Sequence, residues 1–139
     1  MFESVVVGAA DSEGATRAFR RALALTRATG GKLHIVAAID GKNESKQRPE
    51  LPEEFRYTSF GAGPTDWLLM TLAREAAAAQ VDAATHPVLD DPAGAIARVA
   101  AAEAADLVVI GSGSAHGART LAHVPKAVMD HVGCAVLVV

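Results

Sequence analysis

Apolar positions along this chain fall into two rhythms, unbroken short runs and helical stripes, and the two alternate. Residues 3–10 (ESVVVGAA) hold a β-branched run with no polar alternation, the pattern of a strand covered on both faces. Asp11 or Ser12 then offers a helix N-cap, with Glu13 in the first turn where the helix dipole favours an anion. Ala15, Phe19, Ala22 and Leu23 recur on one helical face, Arg17, Arg20, Arg21 and Arg27 mark the wetter side, and Gly30-Gly31 stops the helix. Residues 33–39 read as a second strand. Strand, helix and strand joined by tight connections predict a parallel pair.

The rhythm is interrupted from Gly41 to about Thr65. Lys42, Lys46, Arg48 and Arg56 balance Glu44, Glu50, Glu53 and Glu54, and Pro49, Pro52 and Pro64 break regular structure. A connection this long in a compact domain is expected to carry a role of its own, such as contact with a regulatory protein partner. Trp67, Leu68 and Leu69 open the next helix, with Asp66 or Thr65 as cap and an alanine run to Gln80. Residues 81–89 form a weaker strand whose Pro87 suits a sheet edge. Asp91 caps the following helix with Pro92 at its first position, and Ile96, Val99 and Ala100 share one face. Residues 107–110 (LVVI) are the clearest buried strand. A Gly/Ser-rich turn spans residues 111–117, a helix runs to near Gly133, and CAVLVV at 134–139 is a final strand.

The expectation is an α/β fold, one domain over residues 1–139. It has an open, mainly parallel, five-stranded, doubly wound sheet of Rossmann-like type. Such sheets bind ligands beyond the carboxyl ends of their strands. The loops in question are residues 9–12, Asp40-Gly41 and 111–117. No G-x-G-x-x-G follows the first strand and no G-x-x-x-x-G-K-[ST] occurs, so neither a dinucleotide fingerprint nor a P-loop is present.

Composition narrows the classes further. Half of the 139 residues are apolar, many of them alanine, so disorder is excluded and close helix-to-sheet approach is favoured. A net charge of −3 and only 4% aromatics argue against a nucleic-acid surface. Cys134 stands alone, which removes both a disulfide framework and a cysteine zinc site. No apolar stretch reaches the roughly 18–20 residues of a membrane span. The opening MFES lacks a basic secretion region, and a cytoplasmic protein is expected.

Three stretches, together spanning nearly the whole chain, resemble the universal stress protein family. They are VVVGAADSE at 5–13 with its helix and GGKL at 30–33, LDDPAGAI at 89–96, and ADLVVIGS at 105–112 with the closing CAVLVV. The resemblance implies a homodimer with a non-catalytic regulatory or protective role in stress tolerance, in a family where some members bind ATP or AMP. The nucleotide-binding branch carries G-x-x-G-x9-G-[ST] after its fourth strand, where backbone N–H groups meet phosphate. Here Gly111 opens that pattern, but Ser114 holds the second glycine position. The closing pair is Val124-Pro125, or Ala122-His123 with a two-residue gap. The first strand ends on Ala10, with the carboxylate displaced to Asp11, where that branch has an aspartate beside adenosine. The span from Gly111 to Cys134 also has the shorter length of the branch without nucleotide. Tight ATP binding is therefore not expected. The altered pocket that remains would use Ala10, Asp11 and Ala38, then Gly111, Ser112, Gly113, Ser114 and Gly117, then His123 and Val124.

Other chemistry reads as structural. His116, His123 and His131 have helical spacings but no carboxylate at i+4, so no metal site is assigned to them. His34 is expected to pack or face solvent within its strand, Asp90-Asp91 to cap a helix, and Cys134 to pack. Ser112 or Ser114 with His116 or His123 and Asp11 would assemble a hydrolase triad only without the G-x-S-x-G elbow it needs. Lastly, an apolar strand that follows the last helix leaves a sheet edge open. Pairing with a second copy through Val136 and Val138 is the expected remedy.

Overall fold

The computed structural model describes residues 1–39, 63–112 and 123–139. Five strands are β1 (Ser4–Ala9), β2 (Lys32–Ile39), β3 (Asp82–Leu89), β4 (Leu107–Ile110) and β5 (Ala135–Val138). The helices are α1 (Glu13–Thr29), α2 (Pro64–Ala78), α3 (Pro92–Ala102) and α4 (His123–His131). All strand pairs are parallel, in the order β3-β2-β1-β4-β5. The expected doubly wound sheet is therefore what forms, and β3 with its Pro87 does lie at an edge. Among the described residues no helix is long and apolar enough to cross a membrane.

Each strand divides its side chains between two cores. Val5 and Val7 join Ala18, Phe19, Ala22, Leu33, Ile35 and Leu69 on the face covered by α1 and α2. Val6 joins Val36, Ile96, Val99, Val108, Ile110 and Val128 on the face covered by α3 and α4. The unbroken apolar run of β1 follows from this, because consecutive side chains point to opposite faces and neither face is wet.

Local chemistry sets the helix ends. Ser12 is the cap of α1, its hydroxyl accepting the Ala15 N–H at 3.2 Å, and Gly30 closes the helix at φ 75° in the left-handed region. Asp91 caps α3 by accepting the Gly94 N–H at 2.7 Å. Asp90 accepts the Asp91 N–H at 2.7 Å and pairs with Arg98 at 3.1 Å, so the two carboxylates serve the helix start as expected. Two details differ from expectation. Pro64 opens α2 rather than breaking structure, with Gly63 as cap and the Asp66 carboxylate 3.4 Å from the Gly63 nitrogen. The buried stripe of α1 is Gly14, Ala18, Phe19, Ala22 and Thr26, rotated away from Ala15 and Leu23. Small residues at 14, 18 and 22 let that side of the helix approach the sheet most closely.

Asp106 aligns the starts of β1 and β4. Its carboxylate accepts the N–H groups of Glu3 at 3.0 Å and Ser4 at 3.2 Å, while its own N–H donates to the Ser4 carbonyl at 2.9 Å. Partial burial works against the charge. The Glu3 and Ser4 N–H groups outweigh it and hold the carboxyl below its ordinary 3.8. A depressed native value means the contribution is present above 3.8 and is lost as pH falls through the native value. Asp106→Ala should cost about 1–2 kcal/mol at neutral pH in urea unfolding. The gap between variant and parent should shrink on acidification below pH 4.

Candidate functional site

Strand order reverses between β1 and β4, since the chain leaves β1 towards β2 and later returns to its other side. A crevice beyond the carboxyl ends of these two strands is the place a doubly wound sheet offers a ligand. Ala10, Asp11 and Ser12 form one wall. A tight turn, with the Ser12 N–H donating to the Ala10 carbonyl at 3.0 Å, leaves Ala10 and Asp11 exposed and starts α1 beneath them. The positive end of the α1 dipole thus faces the crevice. From the same turn an open depression of about 550 Å³ extends along α1 past Glu13 and Thr16 to Arg17 and Arg20.

Gly111 and Ser112 form the other wall. A Cβ built on Gly111 would stand 2.5 Å from the carbonyl carbon of Gly14 and 3.0 Å from the Ala15 nitrogen. Only glycine permits that contact, which lays the β4 exit directly on the first turn of α1. Ser112 has a partner that sequence reading did not anticipate. Its N–H donates to the Val139 carbonyl at 2.8 Å, and the Val139 N–H donates to the Ile110 carbonyl at 2.9 Å. One backbone donor of the expected phosphate loop is therefore already engaged by the strand beside it.

The remaining predicted positions separate. Ala38 stands near the carboxyl end of β2 and packs, partly buried, with Val88 and the α3-side core. Val124 packs into the same core from the first turn of α4, and the backbone of His123 begins that helix. Gly113, Ser114 and Gly117 lie outside the described residues, as do His116, Asp40-Gly41 and the rest of 40–62. Cys134 is partly buried. Burial, with the Asp106 charge beside it, pushes its thiol up from the ordinary value, which suits packing rather than nucleophilic work.

A model of the universal stress protein family matches residues 1–139. The chain belongs to that family. Among solved structures, a universal stress protein in complex with cAMP is 30% identical, covering 99% of this chain and 96% of its own, with a TM-score of 0.73. A universal stress protein from Lactobacillus plantarum aligns at TM-score 0.74 and 18% identity, over 99% of this chain and 97% of its own. One from Archaeoglobus fulgidus in complex with dAMP aligns at 0.69 and 18%, over 99% and 98%. The last two bear on the fold. No match was found among curated proteins.

Sequence reading missed one cluster in this universal stress protein. His34, expected to pack or to face solvent, is 3% exposed and lies against His86 of the neighbouring strand. Burial lowers its pKa from the ordinary 6.5, Glu103 opposes the shift, and His86 and Lys32 add to it. No spacing rule exposes that pair, because only the β2–β3 register brings the two together.

The Gly111 contact yields a direct test. Gly111→Ala should destabilise the fold by about 1–3 kcal/mol, since the new methyl meets backbone rather than a side chain that can turn away. Gly133→Ala, where an added Cβ meets nothing within 4 Å, should leave the urea midpoint nearly unchanged.

Proposed function

We propose that this universal stress protein is a dimeric, non-catalytic regulatory module of the cytoplasm whose crevice takes an adenine nucleoside monophosphate in preference to ATP. The observation that carries the reading is the Ser112–Val139 bond beside the α1 N-terminus. Among the described residues one helix N-terminus and an exposed turn remain for a single phosphate, while a donor on which a polyphosphate would draw is committed to Val139. The 30%-identical relative solved with cAMP supports the choice of ligand class. Departures at Ala10 and Ser114 from the ATP-binding pattern point the same way. Ser12 spends its hydroxyl on the α1 cap and Asp11 stands exposed to solvent, so this wall offers no assembled nucleophile and base.

Calorimetry with cAMP, AMP and magnesium ATP tests the order of affinities. A charge-assisted hydrogen bond is worth about 1.5–3 kcal/mol, so the monophosphates should bind at least about tenfold more tightly than ATP. Phosphate release from ATP should stay at the buffer rate. ATP binding tighter than AMP, or turnover of ATP, would establish the rival reading of an ATP-binding or slowly ATP-hydrolysing member.

Dimerisation is proposed through β5. Among the described residues this strand pairs only with β4, and Leu137 and Val138 expose 38% and 41% of their surface on opposite sides of the edge. An apolar edge with free backbone groups is satisfied by the same edge of a second copy about a two-fold axis. Light scattering at micromolar concentration should give twice the chain mass. Val138→Lys, which places a charge in that edge, should give the mass of one chain with the unfolding transition retained.

A further inference from the structure

We propose that His34, His86 and Glu103 form a binding site for a divalent first-row transition ion, zinc foremost. The site runs from the amino end of β2 to the middle of β3, away from the crevice at the carboxyl ends of β1 and β4. His34 is the third residue of β2 and His86 the fifth of β3, and the parallel register sets His34 beside Ala84 and His86 beside Val36. Even-numbered positions on both strands turn to the α3 face, as Val36, Ala38 and Val88 do. Ala84 is too small to fill the space opposite His34, and the two rings meet diagonally across it. Their centroids are 5.0 Å apart, and His34 Nδ1 lies 2.9 Å from His86 Nε2.

The third group comes from the helix. Glu103 is the residue at the carboxyl end of α3, and its Oε2 lies 3.9 Å from His34 Nε2. A carboxylate at the negative end of a helix dipole is unfavourable by itself, and a cation held in front of it would remove that penalty. One ligand atom from each of the three residues can be chosen so that all lie within 4.8 Å of one another. Atoms bound to a zinc ion at about 2.0–2.2 Å lie roughly 3.4 Å apart in tetrahedral geometry, so the widest separation in the trio must close by about an ångström, while the 2.9 Å contact between the rings need not shorten. The half-exposed His86 and the exposed Glu103 are free to supply that movement, while His34 is held by the core.

Two imidazoles and one carboxylate favour zinc, cobalt, nickel or copper over the oxygen-seeking magnesium and calcium. Lys32 and Asp82, partners in the register where β2 and β3 begin, bring opposite charges to the neighbourhood. With three protein ligands, a fourth position is left for water or an outside ligand. An ion here would clamp the edge strand β3, which among the described residues pairs with β2 alone, to both β2 and the end of α3.

The test uses the full chain, free of any histidine tag and stripped with chelator. Zinc chloride titrated by calorimetry should bind once per chain and raise the melting temperature, because the unfolded chain has no preformed site. Magnesium and calcium chloride should do neither. His86→Ala and Glu103→Gln change exposed or half-exposed side chains. Since loss even of an outer partner costs 10–100-fold, each should weaken zinc binding by at least about tenfold. Cobalt chloride should give the visible bands of a nitrogen and oxygen environment without thiolate charge transfer. The proposal falls if zinc shows no saturable uptake, or if uptake survives unchanged in both variants. It falls equally if cobalt shows a thiolate band, which would place the ion on Cys134.

Discussion

Coverage of β1 on both faces is the constraint from which the rest of this molecule follows. Val5, Val6 and Val7 are fully buried, and in a strand three consecutive side chains can be so only if helices lie above and below the sheet. Two cores result, and each must be closed at the strand ends by groups that satisfy the backbone without adding bulk. Asp106 does this at the amino end, where one carboxylate receives the N–H groups of Glu3 and Ser4 at the start of β1. At the carboxyl end the work falls to small residues. A Cβ on Gly8 would press on Ile96 at 2.9 Å, and Gly111 leans on the backbone of Gly14. The crevice owes its position to that second contact, because it fixes the N-terminus of α1 beside the exit of β4.

Features governed by neighbours in the chain were legible in the sequence. Ser12, Gly30, Asp91 and Pro92 act on backbone groups within four residues of themselves, so their roles follow from residue type and position. Pro87 marked β3 as an edge because a missing N–H is tolerated best there. Pro64 was misread since proline both ends and begins helices, and which it does depends on the residues after it. The face of α1 was read from Ala15, Phe19, Ala22 and Leu23; Phe19 and Ala22 are buried, but the stripe continues through Gly14, Ala18 and Thr26 instead of Ala15 and Leu23. Volume decides contact distance, and a hydrophobic pattern alone does not record it.

Features set by register were not legible at all. His34 and His86 are 52 residues apart, and sliding β3 by a single residue would turn His86 to the α2 face. The Ser112–Val139 bond depends likewise on β5 lying beside β4. Its consequence for the site is chemical. A glycine-and-serine turn looks like a set of phosphate donors when read along the chain, yet a donor counts only if nothing in the fold has used it. The first residue of that turn after Gly111 has its N–H taken, so counting glycines overstates what the loop can offer a polyphosphate.

The crevice and the histidine cluster can therefore be considered separately. His34 and Ala38 are four residues apart on one strand, which places His34 roughly 13 Å from the crevice end of β2. Between them lie Val36 and its packed neighbours, a close-packed block with no second arrangement on display. Coupling between distant ligands requires an element with two states that both ligands bias. Groups more than about 7–10 Å apart with no shared partners act additively. A nucleotide at the carboxyl ends and an ion at the histidine cluster each favour the folded chain by their own affinity. In this architecture their stabilisations should sum, so that any departure from a simple sum would reveal a second state of α3, which begins at one end of the sheet and ends at the other.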